Sequence, residues 1–296
     1  MAALRYDTVS FLSDYGRQDE FVGVVHSILR SGAPGVSVID ITHDIAPHDV
    51  RAGGLALARS AQYLCPGVVL AVVDPGVGTD RRGIAVEVGG GQSVLVGPDN
   101  GLLAPAVAMV GGATRAVTLT NDEFHLPAPG PTFDGRDVFA PVAAALCSGV
   151  DIGELGDDID PSSLVPGLIP VVREEDGDLV ADVLWVDRFG NCQLNVDPDD
   201  LDGWGDRIRL RLGDRSRVAR RVDTYGQIRE GEVGLVVDSY GLVSVALDRR
   251  SAHAELGFGP GQELRLERLD GDDPDQPAEG VTSAVSLGPR RDGGDR

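Results

Sequence analysis

Hydrophobic positions in the first half of the chain alternate between two patterns. Runs of β-branched apolar residues, typical of buried strands, each end in a turn that carries an aspartate. Between the first two runs, apolar residues recur at i, i+3, i+4, i+7 and i+8 until Gly32, which predicts an amphipathic helix. This alternation predicts βαβ units and an α/β domain with a mostly parallel sheet. The strand-end aspartates are Asp14, Asp44, Asp74 and Asp99.

The second half of the chain has a different pattern. Short apolar runs of strand length are separated by Gly and Asp turns, and no helical period of useful length appears. We therefore predict an α/β domain over residues 1–160, a linker over 161–170 and a smaller all-β, barrel-like domain over 171–269. The tail, 270–296, is rich in acids, Gly and Pro, and we expect it to be disordered.

Composition restricts the chemistry that the chain can perform. All 26 basic residues are arginines, and 47 acidic residues give a net charge of −21. Without lysine, Schiff-base catalysis, an internal pyridoxal aldimine and a Walker-A phosphate site are excluded. A general base must therefore be Asp, Glu, His, Tyr or Cys. The negative charge repels nucleic acid and anionic membranes, so we expect neither as a partner.

Cysteine usage and the chain's first residues bear on its compartment. The cysteines, Cys65, Cys147 and Cys192, are odd in number and far apart, which indicates neither a disulfide framework nor a zinc site. The first residues carry no signal-peptide pattern, and no apolar run reaches membrane-spanning length. These features predict a cytoplasmic protein without a metal.

Three motifs place carboxylates where a ligand would bind. FLSDYGRQDEF has Asp14 at a strand end and Asp19 at a helix start, VVDPGVGTDRRG has Asp74 and Arg81, and PTFDGRDVFAP has Asp134. A strand-end carboxylate can accept both hydroxyls of a ribose, although the glycine spacing is not that of a Rossmann fingerprint. For any single aspartate, a helix cap or an Asx turn is an equally ordinary interpretation.

These strings, with DITHDIAPHDVRAG, VGPDNGLL, DRFGN and DSYGLVSVA, resemble the adenosine-forming S-adenosyl-L-methionine (SAM) hydrolases, or SAM hydroxide adenosyltransferases. Fluorinase and chlorinase are their halide-using relatives. The motifs occur in order from about residue 8 to about residue 268. The resemblance implies an α/β domain joined to a β-barrel, a homotrimer with active sites between subunits, SAM as substrate, and no cofactor. It also implies SN2 attack of water at ribose C5′.

The resemblance also implies substrate-binding roles in the first domain. Asp14 would accept the ribose hydroxyls, Asp19 would meet the methionine ammonium group, and His48 would lie near the ribose. A surface histidine ahead of a helix is the structural alternative for His48.

In the second domain the resemblance places binding residues in two turns. Asn191 would bind the adenine edge with Phe189 packed nearby, and Ser239 with Tyr240 would hold the methionine carboxylate. Ordinary turn formation is the alternative, since Gly-Asn is common turn chemistry.

The resemblance assigns water activation to Asp74, Arg81 and position 134. The family string TFHGRD reads TFDGRD here, so Asp134 occupies the place of a histidine. Three alternatives remain open: Asp134 shares a proton with Asp74 beside Arg81, it only positions the loop, or His125 reaches in from outside the motif.

Three other functions compete with SAM hydrolysis. A halogenase is disfavoured because the segment after the DPGVGT turn is short, and because Gly135 stands where halogenases have a serine. A non-catalytic SAM- or adenosine-binding protein remains open because the histidine is missing. A metal-dependent phosphohydrolase would use Asp14, Asp74 and Asp99.

Overall fold

The computed structural model describes residues 4–269. Within that range the chain forms two compact units that divide between Val171 and Val172. The tail that we predict to be disordered, 270–296, lies outside the described residues.

A twisted sheet forms the centre of the first unit, and within residues 4–171 it has seven strands. They are β1 (Thr8–Ser13), β2 (Ser37–Thr42), β3 (Val68–Val72), β4 (Gly83–Val88), β5 (Ser93–Pro98), β6 (Ala113–Thr118) and β7 (Asp158–Ile159). The spatial order is β2-β1-β3-β5-β4-β6-β7. Strands β2, β1, β3 and β5 are parallel, whereas β4, β6 and β7 extend the sheet in antiparallel pairings. The predicted α/β class is confirmed.

Helices cover both faces of this sheet. They are α1 (Phe21–Gly32), α2 (Val50–Ala61), α3 (Ala104–Met109), and a π-helical turn (Gly135–Phe139) that continues into α4 (Ala140–Cys147). Neighbouring residues of β1 point to opposite faces, so Phe11 packs with α1 and α4 while Leu12 packs with α2 and α3. The amphipathic helix predicted from the apolar spacing before Gly32 is confirmed as α1.

A closed barrel forms the second unit. Within residues 172–269 its strands are β8 (Arg173–Glu175), β9 (Asp178–Val186), β10 (Cys192–Leu194), β11 (Arg207–Leu212), β12 (Arg215–Val222), β13 (Val233–Val237), β14 (Val243–Leu247) and β15 (Glu263–Arg268). Seven of them close a ring in the order β9-β10-β14-β13-β12-β11-β15, and β8 pairs with β9 outside it. A short helix, α5 (Ala252–Leu256), follows β14. The predicted barrel is confirmed.

The parallel strands determine where the first unit can bind a ligand. Their carboxyl ends meet at one edge of the sheet, and Asp14 and Asp74 follow β1 and β3 there. Ligands of such sheets bind beyond this edge. Among the described residues, the structure contains no helix that is both long and apolar enough to cross a membrane.

Candidate active site

A cluster of two carboxylates and one guanidinium lies at the carboxyl ends of β1 and β3. After Asp74 the chain reverses in a tight turn, in which Gly78 has φ +76° and Val77 N–H donates to the Asp74 carbonyl at 3.3 Å. The turn brings Arg81 back to Asp74, with its Nε 3.0 Å from each carboxylate oxygen. The Nη2 group of Arg81 donates to both Asp74 and Asp134. One arginine therefore joins carboxylates that are 60 residues apart in sequence, since 134 − 74 = 60.

Arg81 is held as a permanent cation between these groups. Burial by itself lowers the pKa of Arg81, but its hydrogen bonds with Asp74 and Asp134 raise it by more. The buried ring of Phe139 packs against the guanidinium, with Arg81 Cζ 5.2 Å from the ring centroid. The side chains of Asp74 and Asp134 are only 6% and 19% exposed, so the cluster is largely shielded from bulk water.

A cleft of about 250 Å³ opens beside this cluster. It brings together four of the residues predicted from sequence, namely Asp14, His48, Asp74 and Asp134. Arg81 donates hydrogen bonds to the last two. Apolar and aromatic side chains complete the wall. The lining residues are Asp14, Tyr15, Phe21, Pro47, His48, Val72, Asp74, Val77, Thr132, Phe133, Asp134 and Gly135.

Asp14 and His48 are linked across the mouth of the cleft. The backbone N–H of His48 donates to Asp14 Oδ2 at 2.9 Å. His48 has φ +69°, a conformation that costs a non-glycine residue about 1–3 kcal/mol and persists where surrounding contacts enforce it. Asp14 thus holds the backbone that carries His48, and no local sequence pattern predicts this link.

Polar residues beneath the cleft support the loop that carries Asp14. His43 Nδ1 lies 2.8 Å from Ser13 Oγ, which also accepts from Tyr15 N–H at 3.3 Å. The carboxylate of Asp40 lies 2.9 Å from His26 Nε2 and 3.0 Å from His43 Nε2. Burial raises the pKa of Asp40, but the contacts with both histidines lower it overall. Sequence reasoning missed this network, because its members lie on three separate elements.

The histidine network also bears on the metal-dependent phosphohydrolase hypothesis. Within residues 4–269, His26, Asp40 and His43 form the one group of three potential metal donors that lie within 4.8 Å of one another. The aspartates that the hypothesis requires, Asp14, Asp74 and Asp99, do not form such a group in this range. Asp99 is instead buried against the guanidinium of Arg82.

Two further candidates lie outside the cleft. Asp19 is exposed and is not among the residues that line the cleft. His125 lines a neighbouring cavity of about 290 Å³ together with Arg81 and Asp134. His125 Nδ1 lies 3.2 Å from the carboxylate of Asp122, and its buried Nε2 has no hydrogen-bond partner among the described residues.

The binding residues predicted in the second unit lie in two turns built in the same way. In the first turn, Asp187 Oδ1 accepts from Phe189 N–H at 2.8 Å and from Asn191 N–H at 2.9 Å. The side-chain amide of Asn191 donates to Asp187 Oδ2 at 2.8 Å. Gly190 has φ +85°, and a Cβ there would lie 2.1 Å from Ser251 Oγ. Phe189 is 79% exposed.

The second turn repeats this arrangement between β13 and β14. Asp238 Oδ1 accepts from Tyr240 N–H at 2.8 Å, and Gly241 has φ +84°. Ser239 is exposed, and the ring of Tyr240 meets that of Trp185 edge to face at 6.2 Å. Both turns therefore use an aspartate to shape the backbone and a glycine for the left-handed position.

Comparisons with known proteins match both units. The first matches the model of the SAM hydroxide adenosyltransferase N-terminal domain over residues 9–156, and the second matches that family's C-terminal domain over residues 181–265. A crystal structure of an uncharacterized conserved protein from Thermotoga maritima superposes with a TM-score of 0.81. It is 31% identical, and the match covers 88% of this chain and 100% of that one.

Curated relatives agree with these matches. The (R)-S-adenosyl-L-methionine hydrolase of Salinispora tropica is 45% identical, with 87% of this chain and 97% of the relative covered. The protein of that name from Thermus thermophilus is 39% identical over 87% of this chain and 98% of its own length. The fluorinase of Actinopolyspora mzabensis is 26% identical over 88% of this chain and 97% of its own length.

Proposed function

This chain belongs to the SAM hydroxide adenosyltransferase family, and from that premise we propose that it hydrolyses SAM to adenosine and L-methionine. The observation that carries the proposal is the Asp74–Arg81–Asp134 cluster beside the cleft. Two shielded carboxylates next to a fixed cation are suited to orienting a water molecule and taking its proton.

The proposed reaction is a single displacement at ribose C5′. The water oxygen forms a bond to C5′ while the bond from C5′ to sulfur breaks, and the electron pair of that bond goes to sulfur. Methionine leaves as a neutral thioether and needs no protonation. The water proton passes to Asp74 or Asp134, and Arg81 keeps both carboxylates in place. The enzyme therefore has to align, desolvate and deprotonate a water.

The remaining predicted residues bind the substrate in this proposal. Asp14 accepts the ribose hydroxyls, His48 lies against the ribose and Asp19 binds the methionine ammonium group. The roles of Asp14 and His48 are supported by their position, because both residues line the same cleft as Asp74. The reaction uses SAM as substrate, without a further cofactor or a metal.

The remaining substrate-binding roles are proposed for residues of the two barrel turns. Asn191 and Phe189 bind adenine, and Ser239 and Tyr240 bind the methionine carboxylate. The enzyme works in the cytoplasm as a homotrimer whose active sites lie between subunits. The exposed ring of Phe189 supports its assignment to adenine binding, because it leaves an aromatic face available for stacking.

The printed names of the relatives suggest which stereoisomer is used. The hydrolases of Salinispora tropica, Salinispora arenicola and Thermus thermophilus, at 45%, 43% and 39% identity, are all named for (R)-SAM. We therefore propose that this chain consumes SAM with the R configuration at sulfur in preference to the S form.

The test is product analysis with both epimers. Purified full-length protein is incubated with a mixture of (R)- and (S)-SAM, and the epimers, adenosine and methionine are separated by liquid chromatography. We expect equal amounts of adenosine and methionine, with the R epimer lost first. Intact SAM bound without product would identify a binding protein instead. Halide-dependent 5′-halo-5′-deoxyadenosine, in parallel reactions with chloride or fluoride, would identify a halogenase.

A further inference from the structure

Tyr15 is a polar residue of the cleft to which the proposed reaction assigns no role. It directly follows Asp14, and three phenylalanine rings surround it. Its ring centroid lies 5.5 Å from that of Phe133 and 6.4 Å from that of Phe11, both edge to face, and 5.7 Å from that of Phe21. Contacts of this kind hold an aromatic ring in one orientation. The direction of the Tyr15 hydroxyl is therefore set by packing.

The hydroxyl of Tyr15 lies against the start of the π-helical turn. A Cβ added to Gly135 would come within 2.0 Å of Tyr15 Oη, so the space beside position 135 is filled by this hydroxyl. Tyr15, Gly135, Asp74 and Asp134 line the same cleft. Tyr15 N–H donates to Ser13 Oγ, whereas its hydroxyl makes no hydrogen bond to any other residue of the described range. A polar group of the cleft that these carboxylates line is thus left for a ligand.

Electrostatics determine what this hydroxyl can do. Burial raises the pKa of Tyr15, and the negative charges of Asp14, Asp74 and Asp134 raise it further. The phenol therefore keeps its proton over the working range of an enzyme. It can donate a hydrogen bond, and it cannot serve as the base that deprotonates water.

We propose that the Tyr15 hydroxyl holds the attacking water by donating a hydrogen bond to it, an inference that rests on the proposed hydrolysis. A water molecule has two protons and two lone pairs. Its protons point to Asp74 and Asp134, one lone pair accepts from Tyr15 Oη, and the other attacks C5′. As the new bond forms, one water proton moves to a carboxylate, sulfur receives the electron pair of the broken bond, and Tyr15 retains its proton.

The same arrangement selects water over halide. Asp74 and Asp134 carry two negative charges against the single positive charge of Arg81, so an anionic nucleophile is repelled. A halide also has no proton to donate to either carboxylate.

The test is Tyr15→Phe in the full-length protein, which removes the hydroxyl and keeps the ring. We expect kcat for adenosine formation to fall on the order of 100-fold, the usual effect of losing one positioned hydrogen-bond donor, with KM within about twofold of the parent. The pH profile of kcat should keep its shape, because no titrating base is removed. The matched control is Tyr63→Phe, since Tyr63 is 73% exposed and lies outside the cleft, and we expect parental rates.

A double-mutant cycle with Gly135→Ala gives an independent measurement. In the parent, the added methyl group displaces the Tyr15 hydroxyl and should lower kcat as Tyr15→Phe does. In the Tyr15→Phe background it should lower kcat much less, because the hydroxyl is already gone. Gly135→Ala leaves the Tyr15 side chain intact, so its kcat tests the position of the hydroxyl even if Tyr15→Phe folds poorly.

Three outcomes would overturn the inference. A kcat for Tyr15→Phe within twofold of the parent would show that the hydroxyl is not needed. Loss of the acidic limb of the pH profile in Tyr15→Phe would mean that Tyr15 acts as a base. No adenosine from the parent would refute the proposed hydrolysis and this inference with it, whereas an active parent with an equally active Tyr15→Phe refutes this inference alone.

Discussion

Aspartates of the α/β unit and aspartates of the barrel use their carboxylates in different ways. Asp74 and Asp134 share the guanidinium of one arginine and line a cleft. Asp187 and Asp238 accept hydrogen bonds from the backbone of their own turns. All four occur in motifs of the same family, yet of these four only Asp74 and Asp134 line the cleft.

In each of the two barrel turns, hydrogen-bond donors occupy both carboxylate oxygens of the aspartate. Asp187 receives donors from Phe189 and from both the backbone and side chain of Asn191. Asp238 receives Tyr240 N–H and, on its other oxygen, the amide of Gln193 at 2.7 Å. The aspartates build the turns, and the aromatic residues two positions later are presented at the surface.

The donors around a carboxylate therefore indicate its role better than its place in a motif does. A carboxylate whose lone pairs are filled by its own turn has little capacity left for substrate or for a proton. A carboxylate held on one side by a guanidinium, with a cleft on the other, keeps that capacity. The following substitutions test this distinction.

The largest effect is expected from Asp74→Asn. The amide keeps the shape of the side chain but cannot take a proton, so we expect kcat to fall by about 10³-fold while SAM still binds. Turnover is measured by adenosine release and binding by calorimetry.

The matched control for Asp74→Asn is Asp80→Asn in the same loop. Asp80 is exposed and does not line the cleft, so its variant should keep the parental kcat. Equal activity of Asp74→Asn and the parent would remove the basis for separating the two groups of aspartates.

A smaller effect is expected at position 134, where two variants can be compared. Asp134→Asn should lower kcat by about 100-fold, because one proton acceptor beside Arg81 is lost. Asp134→His should retain more activity than Asp134→Asn, with an acidic limb near pH 6.5 in the profile of kcat, since a neutral imidazole can accept the proton.

The control for position 134 is the pH profile of kcat for the parent enzyme, measured under the same conditions. If Asp134→Asn and Asp134→His both match the parent over pH 5–9, position 134 only shapes its loop. His125 would then be the next residue to test, because it lines the neighbouring cavity with Arg81.

Much of the fold was predictable from the sequence. The amphipathic spacing of α1 and the apolar runs of β1 and β3 are local patterns, and the structure contains these elements. The antiparallel strands β4 and β6 were not predicted, because a strand buried in a sheet shows no direction in its sequence. The three-residue strand β10 was too short to show alternation.

The candidate site was predictable only in part. Asp74 and Arg81 are seven positions apart in one turn, so their pairing follows from a local motif. The approach of Asp134 and the direction of Tyr15 depend on contacts between distant segments, which no local pattern records. Sequence reasoning identified Asn191 as a candidate but did not predict its hydrogen bond with Asp187.

The smallest effect on catalysis is expected from Asp187→Ala, which should act on the barrel. Removing the carboxylate leaves Phe189 N–H and Asn191 N–H without their acceptor, and we expect the free energy of unfolding to fall by about 2 kcal/mol in urea denaturation. KM for SAM should rise several-fold because Asn191 loses its orientation, while kcat stays within about threefold. The exposed Asp214, between β11 and β12, supplies the control, and Asp214→Ala should change stability by less than about 0.5 kcal/mol. A large loss of kcat in Asp187→Ala with unchanged stability would place Asp187 with Asp74, and the division between turn-building and reactive aspartates would fail.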